Sequence, residues 1–258
     1  MISVALNKKT GEVLWKCPLP EADAAAFASV IIVETAGVKQ YVQLLEKGLV
    51  GVDAKTGKFL WRYTKAVSKY GANIPTPVGS DNYIYAGSAG TGGGVVKLTA
   101  TDGKIQAEEV YFESKLPTAI GGALKVGNFL YGTTGQALLC IDFATGTVKW
   151  EDRAIGAASL CFADGHLYLH GENGAVALVE ASPETYREEG RFTPVNLPSR
   201  SNGMEKLCSR HDYFAQASAT DSSQSRALLQ SGKSLPALTE ADESEVAKAL
   251  RCVRARRK

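Results

Sequence analysis

The sequence predicts an all-β protein: a β-propeller or partial propeller of about four to five four-stranded blades, with a short C-terminal helix. Three observations lead there. A nine-residue phrase recurs as Asn7-Lys-Lys-Thr-Gly-Glu-Val-Leu-Trp15, Asp53-Ala-Lys-Thr-Gly-Lys-Phe-Leu-Trp61 and Asp142-Phe-Ala-Thr-Gly-Thr-Val-Lys-Trp150. A weaker copy, Thr99-Ala-Thr-Asp-Gly-Lys-Ile-Gln106, has Asp102 in place of the Thr and no Trp. The glycines fall at Gly11, Gly57, Gly103 and Gly146, spaced by 46, 46 and 43 residues, and a period near ~45 residues with strand-like filling marks a propeller. Between the copies lie short β-branched and aromatic runs cut by Gly, Asn and Asp turns, four to a period, which is one antiparallel meander.

Taken in order, the first unit supplies two strands, 2–6 and 13–16, the last two of a blade. The second gives 27–34, 39–45, 48–52 and 58–63; the third 74–78, 83–86, 94–98 and 104–112. The fourth gives 120–126, 129–132, 137–143 and 147–151. A fifth, 157–163, 166–170, 175–179 and 185–192, keeps the strand pattern while its turn has decayed to Ala181-Ser-Pro-Glu-Thr-Tyr-Arg187. Within the phrase, Asp53 and Asp142 are placed to accept hydrogen bonds from the backbone of their own turns. The glycine permits the positive φ that a tight hairpin turn needs. The Trp four residues on falls in the last strand, so Trp15, Trp61 and Trp150 read as wedges against a neighbouring blade, each stabilising by ~2–4 kcal/mol when fully buried.

Asp-x-x-Thr-Gly-x-x-x-Trp once per four-stranded unit resembles the tryptophan-docking repeat of the pyrroloquinoline-quinone (PQQ)-like β-propellers, over residues 1–192. The resemblance implies one of two kinds of protein. Quinoprotein dehydrogenases oxidise alcohols or sugars with PQQ and Ca²⁺. Non-catalytic propellers bind partners, and include the lipoprotein subunit of the outer-membrane β-barrel assembly machine. The alcohol-oxidising quinoproteins carry a vicinal Cys-Cys disulfide over the cofactor, and no two of the five cysteines here are adjacent. The Trp-Asp signature of WD-repeat propellers is not found.

At 258 residues, with 45% apolar residues and 26 glycines, the chain can bury a substantial core and is dense in turns. A net charge of +2 argues against nucleic acid as a partner. No apolar run approaches the ~18 residues of a transmembrane helix. Met1-Ile-Ser-Val-Ala-Leu-Asn-Lys-Lys has neither the basic nor the apolar region of a signal peptide. The family's usual place is the periplasm or cell envelope, whereas the chain as written would stay in the cytoplasm, and a truncated member of the family is expected. Cys140 and Cys161 sit in apolar strands as small core residues, with a bridge between them left open; Cys17, Cys208 and Cys252 carry no motif.

Residues 193–238 read as linker or disorder, rich in Ser, Ala and Gln and containing Pro194, Pro198 and Pro236. Thr239-Glu-Ala-Asp242 opens a capping-box helix over 240–254 within a basic end segment, 239–258.

Catalytic signatures are sparse. Gly87-Ser-Ala-Gly-Thr-Gly-Gly-Gly94 lacks the Gly-Lys-Ser/Thr ending of a phosphate loop and reads as a hairpin loop. His166 and His170, four apart on a strand, lie about 13 Å apart, too far to share a metal; His211 is in the tail. Asp53, Asp102, Asp142 and Asp164 occupy separate turns and form no calcium set. The expectation is a non-catalytic binding or scaffold module without a cofactor. Its protein partner would meet the propeller loops, at residues 87–93 and 132–135, or open blade edges. A PQQ- and Ca²⁺-dependent dehydrogenase, or a piece of one, and an outer-membrane assembly subunit are the alternatives.

Overall fold

The computed structural model describes residues 2–153 and 155–194, so the linker expected over 193–238, from residue 195 onward, and the helix expected over 240–254, with Cys208, His211 and Cys252, lie outside the described residues. The described residues form one two-stranded and four four-stranded antiparallel sheets, each a meander in chain order. Sheet 1 is β1 (Ile2–Leu6) and β2 (Val13–Pro18). Sheet 2 is β3 (Ile31–Thr35), β4 (Val38–Leu45), β5 (Gly48–Asp53) and β6 (Phe59–Tyr63). Sheet 3 is β7 (Val78–Ser80), β8 (Tyr83–Ser88), β9 (Gly92–Thr101) and β10 (Lys104–Glu113). Sheet 4 is β11 (Ala123–Val126), β12 (Phe129–Thr133), β13 (Leu138–Asp142) and β14 (Val148–Asp152). Sheet 5 is β15 (Ala158–Ala163), β16 (His166–Gly171), β17 (Val176–Glu180) and β18 (Glu188–Phe192). This is a partial propeller of four full blades and half of another.

The first strands of successive sheets, β3, β7, β11 and β15, touch in series. Apolar side chains fill four seams rather than one common core. Cys17, Leu19, Leu45, Val50 and Val52 join sheets 1 and 2. Val42, Leu44, Trp61, Ile84, Val96 and Leu98 join sheets 2 and 3. Tyr85, Val95, Leu130, Leu139 and Ile141 join sheets 3 and 4; Tyr131, Cys140, Leu160, Leu167 and Leu169 join sheets 4 and 5. Middle strands such as β5 are therefore buried on both faces, whereas the last strand, β18, is mostly exposed.

One irregularity recurs. Every pairing of a last strand with its neighbour shifts register by one residue, at Ala5/Leu6, Gly51/Val52, Glu109/Tyr111, Cys140/Ile141 and Leu178/Val179. Such a bulge bends the strand and re-aims the side chain beside it. The re-aimed residue is Trp15, Trp61, Tyr111, Trp150 and Gly190 in sheets 1 to 5.

The expected strands correspond to the observed ones, and the departures lie mainly at first strands. β3 starts at Ile31 rather than 27, because the amide of Phe27 donates to Asn73 O instead of a ladder partner. β7 starts at Val78 rather than 74: Pro75 and Pro77 have no amide to donate. β11 and β18 start three residues late, at Ala123 and Glu188. The expected glycine loop of 87–94 is mostly strand: Gly87 and Ser88 end β8, Gly92, Gly93 and Gly94 open β9, and only residues 89–91 form the turn. Gly94 packs under the backbone of Tyr111 and Phe112, where a Cβ would lie 2.2 Å from Tyr111 O. Cys17, Cys140 and Cys161 are free thiols, so the bridge left open between Cys140 and Cys161 is not formed.

Candidate functional site

The repeated turns are built alike. Asp53 Oδ1 accepts from the amides of Lys55 (2.8 Å) and Thr56 (2.7 Å). Asp142 Oδ1 accepts from the amides of Ala144 and Thr145 and from the Thr145 hydroxyl, all at 3.0 Å. Asn7 does the same with the amides of Lys9 and Thr10. At Asp53 desolvation pushes the carboxyl up, but the Thr56 and Lys55 hydrogen bonds outweigh it and hold the group below its ordinary value. Gly11, Gly57, Gly103 and Gly146 all take φ between 73° and 75°, a left-handed backbone that side chains disfavour.

The bulge-aimed aromatic of one sheet seats on the turn of the next. The Trp15 ring covers Gly57, where a Cβ would come within 2.6 Å of it, and its indole N–H donates to Ala54 O at 3.1 Å. Tyr111 repeats this on sheet 4: its ring covers Gly146, where a Cβ would come within 2.6 Å of it, and its hydroxyl donates to Phe143 O at 3.0 Å. The Trp150 indole donates to Ser182 O at 2.8 Å, in the decayed turn of sheet 5. Trp61 departs from the expected pattern. It is buried in the seam with sheet 3, yet it lies over Gly51 of its own sheet and donates to Gln40 Oε1 at 2.7 Å. The cause is the long β9–β10 hairpin, which carries the Asp102-Gly103 turn away from Trp61, so no described atom lies within 4 Å of a Cβ at Gly103. That extension also hid Tyr111, which follows its turn glycine by eight residues rather than four.

At the opposite strand ends the connectors are tied down by side chains that no motif announced. Asn73 is fully buried. Its Nδ2 donates to Leu45 O (2.6 Å) and Glu46 O (3.2 Å), and its Oδ1 accepts from the Ser68 amide (2.6 Å) and the Ser88 hydroxyl (2.9 Å). Its own carbonyl holds the Phe27 amide. Arg62 spans Glu21 and the fully buried Asp23, at 2.8 Å each, and Asp23 also accepts from the Lys47 amide. On these fixed connectors two aromatic rings point outward: Phe27 is 72% exposed and Tyr70 78%. Tyr70 leans over Gly90, in one of the two loops the sequence marked for partner contact. The other, residues 132–135, is tied in at Thr133, whose hydroxyl donates to Ala158 O.

A shallow cleft of about 370 Å³ lies between sheets 3 and 4, lined by Asp81, Tyr83, Lys125, Asn128 and Asp142 among others. Among the described residues no three His, Cys, Asp or Glu side chains converge as a metal site. His166 sits between Asp164 O and Glu189 rather than beside His170.

Residues 3–185 match the profile of a family described as outer membrane protein assembly factor BamB. The chain belongs to that family. Among solved structures, BamB from Moraxella catarrhalis superimposes with a TM-score of 0.54 at 14% identity, over 75% of this chain and 58% of that one. Sqt1 from Saccharomyces cerevisiae gives 0.55 at 14%, over 77% and 60%. At that identity the likeness is one of fold. The chain spans less than two thirds of the length of either propeller. No curated protein sequence matches it. Among the described residues of this BamB-family chain, no helix is long and apolar enough to cross a membrane.

Proposed function

We propose that the chain is a non-catalytic scaffold that receives a protein partner on the connector face carrying Phe27 and Tyr70, and that it serves in the cell envelope in the assembly of outer membrane proteins. The observation that carries the binding role is the pair of outward rings on connectors locked by Asn73. Rigid exposed aromatics supply contact area without an ordering cost at the moment of binding. The family's description supports the envelope setting. The repeat residues Asp53, Asp142, Trp15, Trp61 and Trp150, by contrast, are engaged in turn and seam contacts.

The test is site-specific photo-crosslinking of the full chain in its source cells. A crosslinker at position 27 or 70 is expected to capture the same outer-membrane assembly component, and one at the exposed Lys104 on the far turn is expected to capture none. The same capture from all three positions, or none from 27 and 70, refutes the assignment.

A further inference from the structure

Three turns at the strand ends opposite the connectors surround the cleft between sheets 3 and 4: residues 81–82 after β7, 127–128 after β11 and 143–147 after β13. Each is fixed by the chain around it. Asn82 O accepts from the Leu98 amide at 2.7 Å, and Asn82 Nδ2 donates to Leu98 O at 3.1 Å. Asn128 O accepts from the Phe143 amide at 3.0 Å, and Phe143 O from the Tyr111 hydroxyl. Groups held on such turns meet a ligand at little ordering cost.

The polar groups lining the cleft have bonding capacity to spare. Asp142 spends Oδ1 on its own turn, and its Oδ2 has no partner among the described residues. Asp81 takes only a long contact, 3.5 Å, from the Ser80 hydroxyl. The Tyr83 hydroxyl and the Asn128 side-chain amide make no hydrogen bond among the described residues. Lys125 donates to Gly127 O at 2.6 Å and pairs with no carboxylate there. Tyr83 and Ala144 add apolar surface beside these groups.

Charge narrows the class of ligand. Asp81 and Asp142 repel an anion. A cation meets Lys125 in the cleft, and ammonium groups already stand over both rings: Lys97 lies 5.7 Å from the centre of Tyr83 and Lys125 5.3 Å from that of Phe143. Two carboxylates against two ammonium groups therefore select against either sign. A wholly apolar ligand would strand the donors and acceptors. At about 370 Å³ the cleft lies at the small end of the ~300–1,000 Å³ of small-molecule sites.

We propose that this cleft binds one neutral pyranose. Ring hydroxyls donate to Asp81 and to Asp142 Oδ2 and accept from Asn128 and Lys125, while C–H groups of the ring lie against Tyr83 and Ala144. A free sugar and a single residue of a glycan chain present the same chemistry.

The test titrates the isotope-labelled full chain with methyl β-D-glucopyranoside, methyl β-D-galactopyranoside and N-acetyl-D-glucosamine, read by amide chemical shifts. The expected result with at least one of them is saturable shifts at residues 80–83, 125–128 and 142–144, at millimolar affinity. Asn128→Ala is expected to weaken binding about fivefold, the worth of one neutral hydrogen bond, and Asp81→Asn at least ~tenfold, because a bond to a charged acceptor is lost. Both side chains are exposed, so both variants are expected to keep the wild-type shifts elsewhere. If the tetrasaccharide of whichever sugar binds is held at least as tightly, the site is for a glycan chain; if more weakly, for a free sugar. Absence of saturable shifts with all three sugars, or wild-type affinity in both variants, overturns the proposal. So do larger shifts at these residues from phosphate or methylammonium at equal concentration, since the ligand is then charged.

Discussion

Asn73→Ala isolates the clamp that holds the connector face. The side chain makes four hydrogen bonds and is fully buried, so none of the lost bonds is replaced readily by bulk water. At about 1 kcal/mol net for each neutral bond, with more where a buried partner such as the Ser88 hydroxyl is orphaned, the loss comes to roughly 4 kcal/mol. That is a large part of the ~5–15 kcal/mol that stabilises a typical domain. With a urea slope of about 2 kcal/mol/M, the unfolding midpoint falls by about 2 M. Equilibrium urea denaturation followed by circular dichroism reads this directly. Asn73→Asp keeps the acceptor for Ser68 and Ser88 but turns an oxygen toward Leu45 O, so it is expected to cost at least as much at neutral pH. A midpoint shift below about 0.5 M for Asn73→Ala would refute the reasoning, because the connectors would then be held by something other than this amide.

Gly57→Ala and Gly11→Ala share the same backbone penalty, about 1 kcal/mol, but only the first drives a methyl into the Trp15 ring; thermal denaturation is expected to show Gly57→Ala as clearly the worse. Tyr111→Phe and Trp150→Phe each remove one inter-sheet hydrogen bond and are expected to cost roughly 1 kcal/mol or somewhat more. Glu109 is held below its ordinary value by hydrogen bonds from Lys65 and then Tyr63. A depressed carboxyl stabilises above its unfolded value, near ~4.3, and loses that contribution as pH falls through the lower folded one, so Glu109→Gln is expected to flatten the fall of the melting temperature as pH drops below the unfolded value. Reduction of a redox dye by alcohols with added PQQ and Ca²⁺ is expected to stay at background.

The fold was legible because turn, period and strand pattern agree. The phrase located Gly57 and Gly146 at their turns and put Trp15 and Trp150 on last strands. Its limit shows at the weak copy, where a longer hairpin moved the aromatic to Tyr111 and left Trp61 to Gln40, a change that spacing alone conceals. First-strand starts were misplaced because stretches such as 27–30, which lead into the β-branched run of β3, extend a strand pattern while the amides of Phe27 and Ser29 are spent on another loop. Asn73, Asp23 and Arg62 belong to no motif; their importance comes from burial and from partners distant in sequence, which only the folded chain brings together.

The three tryptophans each occupy a different seam: Trp15 between sheets 1 and 2, Trp61 between 2 and 3, and Trp150 between 4 and 5. The seam between sheets 3 and 4 is held by Tyr111 instead. The intrinsic fluorescence of the protein is therefore a three-channel record of a four-joint object. Variants keeping one indole each would report the opening of a single joint, while a molecule hinging between sheets 3 and 4 alone would leave its emission almost unchanged.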